Sequence, residues 1–302
     1  MTTVTNSEDL KQSGQPDEQP TRKKPRQLSN LLVRFLTGML ILPVVLIVIF
    51  LGGWFLTLTL MLIMLVAILE FYFMEKRRGL QNNALLGVVA ALMVILAFHY
   101  NEPLLWQVAV ISTIIITFVV EFGRGREVKP SLARILTTIG GIFYIAFPLS
   151  FLVAIRDGVS GYHWFFAYIY CTWGTDTFAY LVGSRFGRIK FAPILSPKKT
   201  IEGAVGGIVA GSLLPLAVLY QGQIPITASA VVLFIVCAFA ATAGDLFESA
   251  VKRFFGIKDS HIPGFNVLPG HGGMLDRIDS TLWVAPIIYA YLLWQGNITL
   301  LI

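Results

Sequence analysis

The feature that most constrains this chain is a succession of apolar runs, each of roughly the 17 to 25 residues that a helix needs to cross the hydrocarbon core of a bilayer. Read as helices, they fall near 31–51, 54–74, 84–100, 104–122, 135–155, 164–182, 204–220, 228–244 and 281–295. The expected fold is therefore all-α, a polytopic transmembrane helical bundle of about nine spans. Composition agrees: 56% of the 302 residues are hydrophobic and 13% are charged, far from the usage of an ordinary soluble domain.

The first thirty residues are rich in Ser, Thr, Gln, Asp, Glu and Pro and lack apolar periodicity, so 1–30 is expected to be a disordered tail. The basic stretch Thr21-Arg-Lys-Lys-Pro-Arg26 leads into a full-length span, which argues for retention of that span rather than removal as a signal peptide. Two further regions are expected, N-terminal membrane helices over 31–160 and a catalytic membrane region over 161–302. The net charge of +6 comes from short basic patches between apolar runs, a membrane-topology pattern rather than a nucleic-acid surface. Lys76 to Arg78, Arg124 to Lys129, Arg185 to Lys199 and Lys252 to Arg277 sort to the side of the N-terminal tail, and only Arg156 sorts opposite. By the positive-inside tendency that side is cytoplasmic. Cys171 and Cys237 both lie in apolar runs and suggest neither a disulfide framework nor a cysteine zinc site. Glu70 and Glu121, near basic helix ends at Lys76 and Arg124, read as snorkelling or surface-paired acids.

The C-terminal half carries polar residues that apolar packing does not explain. Asp176 lies inside its span, where an ionisable group costs about 2.5–3.5 kcal/mol on insertion scales. Thr172, Asp176 and Tyr180 recur every fourth residue, so they form one polar stripe that faces a cavity or a neighbouring helix. In Ser196-Pro-Lys-Lys-Thr-Ile-Glu-Gly203, Ser followed by Pro predicts a helix start at 196, with Lys198 and Lys199 beside free N–H groups that attract phosphate. Gly203, Gly207 and Gly211 then give a smooth face for close helix contact. The densest polar segment begins at Gly244, where Asp245, Glu248, Ser249 and Lys252 share one helix face, and runs to Asp276 and Asp279 beyond a glycine-flanked His271. Hard oxygen ligands of this kind suit Mg2+, which takes one or two carboxylates together with substrate phosphates.

These residues resemble the CDP-diacylglycerol synthases, or phosphatidate cytidylyltransferases. The resemblance rests on Ser249-Ala-Val-Lys-Arg253, Lys258-Asp259 and His271-Gly-Gly-Met-Leu-Asp-Arg-Ile-Asp279, supported by Gly244-Asp-Leu-Phe-Glu-Ser249, by 196–203 and by the Asp176 helix. It is strong over 165–290 and one of topology alone before that. The connection from Asp259 to His271 is about four residues longer than the family usually has, a length that loop closure tolerates cheaply.

The resemblance implies an integral protein of a bacterial inner membrane, with its N-terminus and active site cytoplasmic, acting in phospholipid biosynthesis. It would join CTP to phosphatidic acid with Mg2+, a second metal ion and a homodimeric state left open, among membrane lipid and without nucleic acid. Asp245 and Asp276 are expected to hold the metal, with Asp279 and Asp176 as further ligands or orienting groups. Lys198, Lys199, Lys252, Arg253 and Arg277 would bind phosphates, Ser196, Glu202, Ser249, Lys258 and Asp259 would complete the substrate site, and His271 would donate to a phosphate oxygen or fix its loop. The alternatives are a transporter lining an ion path, a CTP-dependent lipid kinase that leaves CDP, and a member inactivated by the lengthened loop.

Overall fold

The computed structural model describes residues 39, 43–123, 127–193, 195–257, 259–260, 262 and 273–298. Among the described residues, 43–51 are helical, and nine α-helices and one π-helical turn follow: α1 (Gly53–Arg77), α2 (Ala84–Tyr100), α3 (Pro103–Gly123), α4 (Val128–Gly141), the π-helical turn (Ile142–Ala146), α5 (Phe147–Asp157), α6 (Gly161–Phe186), α7 (Ile201–Gln221), α8 (Ala228–Phe254) and α9 (Leu275–Trp294). The only β pairing among the described residues is an isolated antiparallel bridge between Lys190 and Thr200. The protein is thus an all-helical bundle, as expected. The expected spans from 54 onward each fall within helical structure, and the first lies largely outside the described residues.

Among the described residues, five helical segments suffice by length and composition to cross a membrane: Gly53–Arg77, Pro103–Gly123, Val128–Asp157, Ile201–Gln221 and Ala228–Phe254. The third joins α4, the π turn and α5 into one rod. The full count of nine is not established by that measure. Ala84–Tyr100 is apolar but shorter than the rest, and α6 and α9 are interrupted by polar residues such as Asp176, Asp276 and Asp279.

Successive helices run back and forth between the two ends of the bundle, joined by links that range from two residues at 101–102 to fourteen at 187–200 and twenty at 255–274. Asn101 closes α2 in the left-handed conformation before Pro103 opens α3. Gly52 and Gly53, at φ 61° and 49°, break the helix between 43–51 and α1. Arg156, at the opposite end from the other basic residues described, has a structural task there. Its Nε and Nη2 donate to the carbonyls of Ile49 and Phe50 at 2.9 and 3.0 Å, satisfying acceptors that a helix terminus leaves free. Lys76 to Arg78, Arg185, Lys199 and Lys252 all sit at the other end.

Two expectations need correction. Glu70 and Glu121 are not surface acids: they are 2% and 1% exposed. Glu121 is paired with Arg134 of α4 at 2.5 Å, and Glu70 reaches across the bundle to α9. The helix expected to start at Ser196 starts instead at Ile201. Residues 189–201 fold back on themselves, with Phe191 N–H donating to Lys199 O and Ile201 N–H to Ile189 O. The cap is Thr200, whose hydroxyl accepts from Gly203 N–H at 3.2 Å, so 196–199 form a turn that projects ahead of the helix.

Candidate active site

Helices α6 and α7 pack in close approach, and glycine is the reason. A Cβ added at Gly203, Gly207 or Gly211 would strike Ala179, Thr175 or Cys171 of α6, so the expected smooth glycine face is the surface on which these helices meet. Their basic end opens into a cavity of about 520 Å³ lined by Thr175, Asp176, Lys198, Lys199, Thr242 and Asp245, among others. Lys199 Nζ lies 2.6 Å from Asp245 Oδ2 and ties the 189–200 turn to α8.

Helix α9 closes on this group through Gly244 of α8, where a side chain would collide with the Trp283 ring and the Asp279 carbonyl. That contact brings Asp245 near Asp279 and Asp176, close enough for the three carboxylates to repel one another. Ser280 Oγ donates to Asp176 Oδ2 at 3.0 Å, and Ser280 N–H to Asp279 Oδ1 at 2.7 Å. The π turn adds Tyr144, whose ring packs 5.5 Å from Phe247. Its buried hydroxyl finds no hydrogen-bond partner among the described residues, although Glu248 and Asp279 are near enough to act on it electrostatically. π-Helical turns of this kind recur at functional sites because they redirect one side chain.

One turn further along α8 lies a second group. Lys252 Nζ stands between Glu248 Oε2 at 2.5 Å and Asp276 Oδ1 at 2.9 Å. Asp276 Oδ2 accepts the N–H groups of Gly273 at 3.1 Å and Ser260 at 3.3 Å. Both Asp276 oxygens are therefore engaged by cationic or backbone donors, whereas Asp245 has Lys199 on one oxygen and the two other acids nearby.

The expected residues thus divide. Asp176, Lys198, Lys199 and Asp245 line one cavity, with Asp279 beside it; Lys252 and Asp276 form the adjoining ion cluster. Glu202 does not line the cavity: its carboxylate accepts Ile189 N–H at 3.2 and 3.3 Å and pins the turn. Ser196 sits half-buried in that turn, Ser249 is half-buried on α8, and Arg253, Asp259 and Arg277 are exposed. Lys258, His271 and most of the lengthened loop lie outside the described residues. Among the described residues no group of three His, Cys, Asp or Glu could form a cage for a metal by itself. Glu70, Tyr144, Ser260 and Ser280 were not singled out for the site from sequence. The one local signal for Glu70 was an acid inside an otherwise apolar run.

A model of the Cytidylyltransferase family matches residues 32–294. A Staphylococcus aureus (strain COL) protein named phosphatidate cytidylyltransferase is 31% identical over 258 residues, covering 85% of this chain and 96% of its own length. A Staphylococcus saprophyticus protein of the same name is 31% identical over 261 residues, with the same coverage. A third of that name, from Thermotoga maritima, is 38% identical over 161 residues, covering 49% of this chain and 55% of its own.

Proposed function

The chain belongs to the cytidylyltransferase family, and from that premise we propose that it transfers the cytidylyl group of CTP to phosphatidic acid, forming CDP-diacylglycerol and pyrophosphate. The observation that carries this reading is the meeting of Asp176, Asp245 and Asp279 with Lys198 and Lys199 around one cavity at the basic end of a membrane bundle. A phosphate oxygen of the lipid attacks the α-phosphorus of CTP, and the bond from that phosphorus to the β-phosphate oxygen breaks. Little covalent chemistry falls to the protein, so alignment of the two phosphates and neutralisation of their charge account for most of the catalysis.

Lys198 and Lys199 precede α7 on a turn that backbone hydrogen bonds and the Glu202 carboxylate fix, and their ammonium groups suit the triphosphate. The donor set fits Mg2+: that ion takes one or two carboxylates and leaves the rest of its shell to phosphates and water, and Asp245 with Asp279 offers such a pair. Asp176 stands by as a further oxygen donor, and the buried Tyr144 hydroxyl is a donor free to meet a bound phosphate. When bound, Mg2+ supplies positive charge against the triphosphate. Asp276, held by Lys252 and two backbone N–H groups, serves as the fixed anion that orients Lys252. The basic end faces the cytoplasm in this reading, so that CTP arrives from solution and the lipid head group from the inner leaflet.

Purified protein in mixed micelles with phosphatidic acid, CTP and Mg2+ should release pyrophosphate and yield a lipid of the mass of CDP-diacylglycerol. Asp245→Asn should lower that rate by about 10²–10³, the equivalent of a few kcal/mol of lost charge stabilisation. CDP as the nucleotide product would mean a kinase instead, and solute flux without CTP consumption would mean a transporter.

A further inference from the structure

Glu70 lies on α1, in the half of the chain that carries none of the family's sequence signature, yet its carboxylate ends at the start of α9. Oε1 accepts Met274 N–H at 2.9 Å, and Oε2 accepts both Leu275 N–H at 2.9 Å and Ser260 Oγ at 3.0 Å. The first N–H groups of a helix have no acceptor within it, and Met274 at the N-cap offers no side-chain oxygen. Glu70 therefore caps α9 from another helix, with its charge at the positive end of the α9 dipole. Ser260 extends the link, since its own N–H donates to Asp276 Oδ2. A continuous path of polar contacts runs from Glu70 through Ser260 to Asp276 and Lys252.

Asp276 lies in the first turn of the helix that Glu70 caps, and Asp279 follows at the start of the second. We propose that Glu70 is a positioning residue of the reaction, fixing where α9 begins and hence where its two aspartates enter the site. This rests on the cytidylyl-transfer reading, but its structural half can be measured separately. In the full-length enzyme, Glu70→Gln keeps the side-chain size but turns an amide NH2 toward donors that need an acceptor. The expected result is a kcat lower by about ten- to hundredfold, the usual loss when an orienting partner is removed. The KM for CTP should stay near the wild-type value, and amides 274 and 275 should exchange hydrogen faster. Glu70→Asp, which keeps both acceptors on a shorter stem, should recover part of kcat.

A wild-type kcat in Glu70→Gln, or a loss confined to melting temperature, overturns the proposal. If that variant does not fold, Ser260→Ala removes one of the three donors and leaves the buried carboxylate in place; a lower kcat with KM preserved supports the proposal, and an unchanged kcat overturns it. Should the wild type itself make no CDP-lipid, the functional reading fails, and unchanged exchange at 274 and 275 in Glu70→Gln would separately refute the cap.

Discussion

Lys252 is placed where a single substitution separates charge from packing. Its ammonium neutralises Glu248, whose side chain is 1% exposed, and Asp276, at 12%. Removing one member of a buried ion pair leaves the other charge uncompensated in a medium that solvates it poorly, at a cost of about 3–5 kcal/mol. Lys252→Met keeps most of the apolar stem, so the loss it causes belongs to the charge. The purified variant should melt well below the wild type, and adding Glu248→Gln should restore much of the difference because the stranded carboxylate is then gone. Equal melting temperatures for Lys252→Met and wild type would show that Glu248 does not need the lysine. Sequence gave one clue to this arrangement, the common face of Asp245, Glu248, Ser249 and Lys252. It could not say that the face splits in use, with Asp245 turning to Lys199 and Asp279 while Glu248 and Lys252 turn to Asp276. That division depends on how α9 crosses α8, a contact between residues distant in the chain.

At the scale of the helix, glycine spacing was readable and helix starts were not. Gly203, Gly207 and Gly211 announce a close approach because a four-residue repeat lines one face, whatever the partner. Gly211 is the tightest case, with Thr175, the Cys171 carbonyl and Ala238 all where a side chain would go. Gly211→Val should therefore destabilise the bundle by about 1–3 kcal/mol or more, the range for overpacking. Gly140→Ala, where nothing lies in the way, should be neutral or stabilising. Equal thermal stability of the two variants would mean that α6 and α7 are not pressed together at Gly211. The start of α7 was misplaced for the opposite reason. Ser196-Pro is a sound local signal, but Thr200 is an equally good cap, and the pairing of 189–191 with 199–201 decides between them. The consequence is functional, since the lysines sit on a turn held over the cavity instead of inside the helix. The π turn at 142–146 has no sequence signal of its own, so Tyr144 could not be seen in advance.

For the molecule as a whole, alternation of helix direction puts Lys76, Arg185, Lys199 and Lys252 at one end and Arg156 at the other. This agrees with the sorting of charges made from sequence, and it was legible because each charge patch lies next to a helix end. Hidden from that sorting was the dependence of the C-terminal site on the N-terminal helices: Glu70 and Tyr144 come from a region that reads as anchoring, and only folding sets them beside α8 and α9. Orientation in the membrane makes the last test. The native thiols Cys171 and Cys237 are both free and fully buried, so an impermeant maleimide should leave the wild-type protein unlabelled. A cysteine at the exposed Gln223, between α7 and α8 at the Arg156 end, should react from outside in right-side-out vesicles. One at the exposed Glu127, between α3 and α4 at the basic end, should react only after the vesicles are opened. The reverse pattern would put the acids and lysines of the cavity on the face away from CTP, and a cytidylyltransfer reaction fed from the cytoplasm could not be sustained with that orientation.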